Sequence, residues 1–105
     1  TVILKEGNFV RVIFSNPGLM PGHILITPKR YVHKISELKD DEKKELFETI
    51  IHFQEEILKK IASGCDIRQN YRPFQKQDEL KVDHLHIHLQ PRELFDELYE
   101  KCQIY

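Results

Sequence analysis

Between Lys81 and Gln90 the chain alternates strictly, with His84, His86 and His88 interleaved with Leu85, Ile87 and Leu89. Side chains two apart on an extended backbone leave it on the same side. The run therefore reads as a strand with three imidazoles on one face and three aliphatic groups on the other. The aliphatic face must be covered. A slip of one residue would bury the imidazoles in its place, so the pattern fixes register as well as conformation. An ordinary half-buried strand accounts for one outward histidine; three in alternation ask for a chemical reason.

The cover is legible upstream. Phe47, Ile50, Ile51, Leu58 and Ile61, flanked by Leu46, Phe53 and Ile57, recur at three- and four-residue spacing, which predicts an amphipathic helix. Asp40, Asp41 and Glu42 suit its first turn, Lys59 and Lys60 its last, and Gly64 a C-terminal stop. A helix of about 23 residues is roughly 35 Å long, enough to cross a whole sheet. Its apolar stripe is expected to be core or dimer surface, and the charged run from Lys39 to Glu45 a solvated face.

The rest of the chain supplies the sheet. Val2–Leu4 and Phe9–Phe14 read as strands joined by a tight turn at Glu6-Gly7-Asn8, where Gly and Asn can take positive φ. Asn16 to Gly22 is a loop, and His23–Thr27 a third strand stopped by Pro28. Cys65–Arg72 resumes strand character, Pro73–Glu79 is a polar connection, and Pro91 ends the histidine strand. Leu94, Leu98 and Cys102 at four-residue spacing suggest a short closing helix over 93–103. The expectation is an α+β fold: an antiparallel sheet of about five strands, one long helix packed on it and a short C-terminal helix. All of it fits one domain over 1–105.

Composition limits the partners. Lys+Arg 16 against Asp+Glu 17 leaves a formal net charge of -1, so no bulk positive field draws in nucleic acid, and a phosphate ligand must be held locally. Cys65 and Cys102 form no Cys-x-x-Cys pair, which favours a reducing cytoplasm over a disulfide framework. No apolar run approaches the roughly 20 residues of a membrane span, and the opening residues lack a secretory pattern. The chain begins at Thr1, so an initiator, and further residues with it, are expected ahead of it.

Two chemistries suit the histidines. Zinc is one. The trio spans roughly 13 Å on a flat strand, too far to converge on one ion with nitrogens at about 2.1 Å, although two of them with ligands from elsewhere would serve. Nucleophilic catalysis is the other. Two imidazolium charges about 6.7 Å apart repel by roughly 2.5 kcal/mol at an effective dielectric near 20, close to two pKa units. The strip should thus rarely carry more than one extra proton at neutral pH. That leaves a neutral imidazole at the central His86 to attack phosphorus beside a neighbour able to donate a proton.

These residues resemble a known family. His84-Leu-His86-Ile-His88-Leu-Gln90 is similar to the histidine triad (HIT) signature, and Pro21-Gly22-His23 running to Pro28-Lys29-Arg30 is similar to that family's second hallmark. The likeness runs from about Phe9 to Arg92. It implies an α+β sheet fold, usually a homodimer, and hydrolysis or transfer of nucleotidyl groups without a cofactor. By position, His86 resembles the nucleophile that takes the α-phosphate, and His88 the residue that contacts the phosphate and helps the leaving group. His84 and His23 resemble the supporting histidines, and Asn70 the asparagine that meets ribose or phosphate. Ile13 would contribute to the base pocket. Many members hold the ribose with an acidic residue or Asn where this chain has Ser15, with Asn16 beside it. The Gly-Gln-Ser-like phosphate loop is replaced by Asp78-Glu-Leu-Lys81-Val-Asp83, in which Lys81 would supply charge. Gln90 takes the final hydrophobic position. The implied substrate is a nucleoside phosphoramidate or dinucleoside polyphosphate. A zinc hydrolase using two of the histidines and a non-catalytic nucleotide-binding module stand as alternatives.

Overall fold

A computed structural model describes residues 3–15, 21–74 and 84–98. Five strands, β1 (Ile3–Glu6), β2 (Val10–Phe14), β3 (Ile24–Pro28), β4 (Gly64–Arg68) and β5 (Ile87–Arg92), form one sheet in the order β1-β2-β3-β5-β4. Every neighbouring pair is antiparallel. The helix α1 (Asp40–Lys60) connects β3 to β4 and lies across one face of the sheet. The histidine strand thus enters between β3 and β4, in the interior of the sheet.

Alternation dictates which face meets the helix. Val10 and Val12 of β2, Ile24 and Ile26 of β3, and Leu85, Ile87 and Leu89 at β5 are buried with Leu46 and Ile57 of α1 and with Val32 and Leu38 from the connection before it. Ile26 and Leu89 are wholly inaccessible, and truncating such a residue to alanine costs about 2–5 kcal/mol. The helix starts where its acidic turn predicts: the Lys39 amide donates to Glu42 Oε1 at 2.7 Å. Glu42 is itself buried and takes a two-pronged bond from Arg30, at 3.1 Å to Nε and 2.8 Å to a terminal nitrogen. Arg30 holds the Glu42 carboxyl below the usual carboxylate range.

Several local expectations are corrected. The inward face of α1 is Glu42, Leu46, Thr49 and Ile57, with Ile50 and Phe53 packed beside them. Phe47, Ile51 and Leu58 remain 67%, 54% and 41% exposed, because a stripe with hydrophobic residues on both flanks can present only one flank to the sheet. The helix ends at Lys60, and Gly64 opens β4 instead of capping it. β4 stops at Arg68, short of Arg72. The regular histidine strand begins at Ile87 and runs through Pro91 to Arg92. β3 starts opposite Leu89, so beyond that point β5 pairs with β4 alone, and a one-sided strand tolerates proline.

Neither Gly7 nor Asn8 takes positive φ. The β1–β2 turn is closed from outside: Glu45 of α1 accepts the amides of Asn8, Phe9 and Val10 at 3.2, 2.7 and 2.7 Å. A Cβ on Gly7 would stand 2.6 Å from that carboxylate, so a larger residue there would push the Glu45 side chain off its three amides. Of the expected closing helix over 93–103, residues 99–103 lie outside the described residues, and in the described part the chain turns at Phe95, whose φ is +57°.

Candidate active site

The sheet face away from α1 is read off the strand register. Ile13, Leu25, His88 and Arg68 are successive partners across β2, β3, β5 and β4. Directly opposed residues project from the same side, so these four share the face of the histidines. His84, His86 and His88 are half-buried on it while Leu85, Ile87 and Leu89 are buried beneath. His23, just ahead of β3, is buried on the histidine side, and its Nε2 lies 2.9 Å from His88 Nδ1. Gly22 makes that placement possible: its φ is +80°, and a Cβ would meet Pro91 and Ile61 at 3.2 and 3.3 Å.

Backbone carbonyls fix two tautomers. A carbonyl can only accept, so a ring nitrogen facing one must carry the proton. His86 Nδ1 sits 2.9 Å from the His84 carbonyl oxygen. The proton is therefore on Nδ1, and Nε2 of neutral His86 keeps its lone pair. His84 Nε2 faces the Pro28 carbonyl at 2.5 Å and carries the proton of that ring. Thr27 donates to the Leu85 carbonyl at 2.7 Å, which holds the irregular stretch ahead of β5 against β3.

Burial and mutual proximity make His23 and His88 reluctant to protonate. The rings of His86 and His88 lie 4.9 Å apart, and those of His23 and His88 5.1 Å apart. Burial, followed by the nearness of His86, His23 and Arg68, pushes His88 down from 6.5 to about 4. Burial, then His86, also lowers His23. Both are neutral at pH 7, so within their shared hydrogen bond one ring donates and the other accepts.

The other expected residues are placed as follows. Ile13 is half-buried on the same rung as His88, and the Ser15 amide donates to the His23 carbonyl at 3.0 Å. Asn70 is exposed two residues past the end of β4; it does not lie on the strand. Asn16 and Lys81 lie outside the described residues. Gln90 is buried, and its side-chain oxygen has no hydrogen-bond partner among the described residues. No group of three His, Cys, Asp or Glu among the described residues is arranged to hold a metal ion.

With this geometry in view, comparison with known proteins is decisive. The model of the HIT domain matches residues 1–94. The chain belongs to the HIT family. A curated HIT relative, the bis(5'-nucleosyl)-tetraphosphatase [asymmetrical] of Schizosaccharomyces pombe, is 30% identical over 81 residues, covering 74% of this chain and 42% of that protein. The chain therefore spans less than half the length of that relative. A HIT family protein from Bacillus anthracis superposes with a TM-score of 0.76 at 22% identity, over 89% of this chain and 64% of that one. A Streptococcus mutans protein does so with 0.75 at 28% identity, over 90% and 59%. Among the described residues no helix is long and apolar enough to cross a membrane.

Sequence reasoning missed two features of this HIT domain. Arg92 is buried and bonded to Asp66 at 2.6 Å and to both oxygens of Asp96 at 2.6 and 3.0 Å, tying β4, β5 and the following turn together. The acids hold the guanidinium charged above its ordinary value. Arg68, opposite His88, was also passed over. Its signal was its place two residues from Asp66 in an alternating strand, visible only once the register is known.

Proposed function

We propose that this HIT domain hydrolyses or transfers nucleotidyl groups, with His86 as the nucleophile at the α-phosphate. The observation that carries the reading is the 2.9 Å contact between His86 Nδ1 and the His84 carbonyl. It leaves Nε2 of the neutral ring unprotonated and able to attack. As Nε2 bonds to phosphorus, the electron pair of the scissile bond departs with the leaving group, and the new positive charge on the ring is stabilised by the Nδ1–H bond to that carbonyl. His88, neutral and steadied by His23, offers a hydrogen bond to the phosphate or leaving group. Water or another acceptor then takes the nucleotidyl group and returns the electron pair to Nε2. In this reading Ile13 serves the base, Ser15 the ribose, and Asn70 the ribose or phosphate. The tetraphosphatase name of the yeast relative supports a dinucleoside polyphosphate or a related phosphoramidate as substrate.

The family's homodimer is part of this proposal. Phe47, Ile51 and Leu58 line one exposed side of α1, and apolar stripes of that kind are commonly interface. A cytoplasmic setting suits the free thiol of Cys65.

The test is the His86→Asn variant, assayed on adenosine phosphoramidate and diadenosine tetraphosphate with metal-free protein and chelator present. Turnover should fall by at least about a thousandfold with thermal unfolding retained. Rapidly quenched wild-type protein should carry a nucleotidyl adduct on His86 by mass spectrometry. Retained turnover in the variant rejects the role; loss of activity on chelation favours zinc chemistry; binding without an adduct favours a non-catalytic module.

A further inference from the structure

A phosphate site needs positive charge, and two of the four histidines gathered here do not provide it. His23 and His88 are both held neutral. Most cations on the sheet are already engaged. Arg11 is bonded to Glu6 at 2.9 Å, Lys29 lies 3.8 Å from the same carboxylate, and Arg92 is taken up by Asp66 and Asp96. Arg68 is different. Among the described residues it makes no ion pair or hydrogen bond, yet it is half-buried on the histidine face.

Its position is specific. Arg68 and His88 are direct partners across β4 and β5, so their Cβ atoms stand about 5 Å apart and point the same way. The nearest acid on that side of β4, Asp66, is occupied by Arg92 at 2.6 Å, so nothing on the strand neutralises Arg68. It stands beside His88, two residues along the chain from His86. A guanidinium on this face can fork across two oxygens of a phosphate.

We infer that Arg68 holds the phosphoryl group adjacent to the one His86 attacks, so that this chain prefers nucleotides whose leaving group is itself a phosphate over phosphoramidates. The inference rests on the proposed nucleotidyl transfer and names its substrate class. The step balances without a co-reactant other than water. The bond from His86 Nε2 to the α-phosphorus forms as the bond from phosphorus to the bridging oxygen breaks. The electron pair stays on that oxygen, which leaves on a phosphate paired with Arg68. Water then adds to phosphorus, the nitrogen–phosphorus pair returns to Nε2, and the proton of water passes to solvent. A phosphate departs as a stable anion, which suits a neutral His88 that offers a hydrogen bond; an amine would require a full proton.

The experiment compares wild type, Arg68→Gln and Arg68→Lys on diadenosine tetraphosphate and on adenosine phosphoramidate. A lost charge-assisted contact predicts that kcat/KM for the tetraphosphate falls about 30-fold in Arg68→Gln, against about threefold for the phosphoramidate. Arg68→Lys should fall in between, because it keeps the charge and loses the fork. Equal falls on both substrates, or none, overturn the inference. Binding is measured separately in the His86→Asn background, where Arg68→Gln should weaken adenosine triphosphate about 30-fold and adenosine monophosphate about threefold. Equal changes there overturn it as well. If wild type turns over neither substrate while the binding contrast holds, nucleotidyl transfer fails and the phosphate contact of Arg68 stands.

Discussion

Acidification should destabilise this domain through His88, and the size of the effect follows from its surroundings. The unfolded chain takes up a proton at the ordinary 6.5, whereas the folded site resists until about 4. The folded pKa is depressed, so the unfolded state binds more protons throughout that interval and stability falls as pH drops from 6.5 toward 4. Above 6.5 the penalty is absent; below 4 it is complete and constant. Between pH 7.5 and pH 5 the linkage integral gives about 2 kcal/mol, and since the ring is only half-buried, screening by water reduces the expected loss to about 1 kcal/mol. His23, lowered by burial and by His86, acts in the same direction. The assay is urea unfolding at pH 7.5, 6.5, 5.5 and 5, above the range where most carboxylates titrate, for wild type and His88→Asn. Wild type should lose stability on acidification, and the variant should lose clearly less. Parallel pH profiles, or a wild type that gains stability toward pH 5, would refute the account of a neutral His23–His88 pair.

Two further outcomes follow from side chains outside the site. Glu45→Ala removes the acceptor of three amides in the β1–β2 turn and should cost about 2 kcal/mol; an unchanged urea midpoint, or unaltered amide exchange at Phe9 and Val10, would count against the anchor. Phe47→Glu with Ile51→Lys, both exposed on α1, should convert a dimer into a particle of single-chain mass in sedimentation while leaving the fold intact; a wild type that sediments as a monomer would remove the basis for a helix interface.

Fold class and histidine strand were legible because period is a local property. The alternation of His84 to Leu89 and the three- and four-residue spacing of Leu46, Ile50, Phe53 and Ile57 need no knowledge of neighbours. The motif resemblance supplied what period cannot, namely that His23 belongs with the triad across the length of the helix. Boundaries were less accessible. Pro91 continues its strand because β3 begins only at Ile24, opposite Leu89, a fact about pairing that proline itself does not encode.

What the chain determined alone was which residues must lie on one side of a strand or one stripe of a helix, since steric periodicity acts over a few bonds. What folding decided was which charges remain unspent. Arg92 and Arg30 find buried or half-buried acids, Arg11 finds Glu6, and Arg68 finds none among the described residues. Electrostatic pairing acts through space between segments far apart in sequence, so only the assembled sheet shows that an arginine without an acid partner among the described residues stands beside His88.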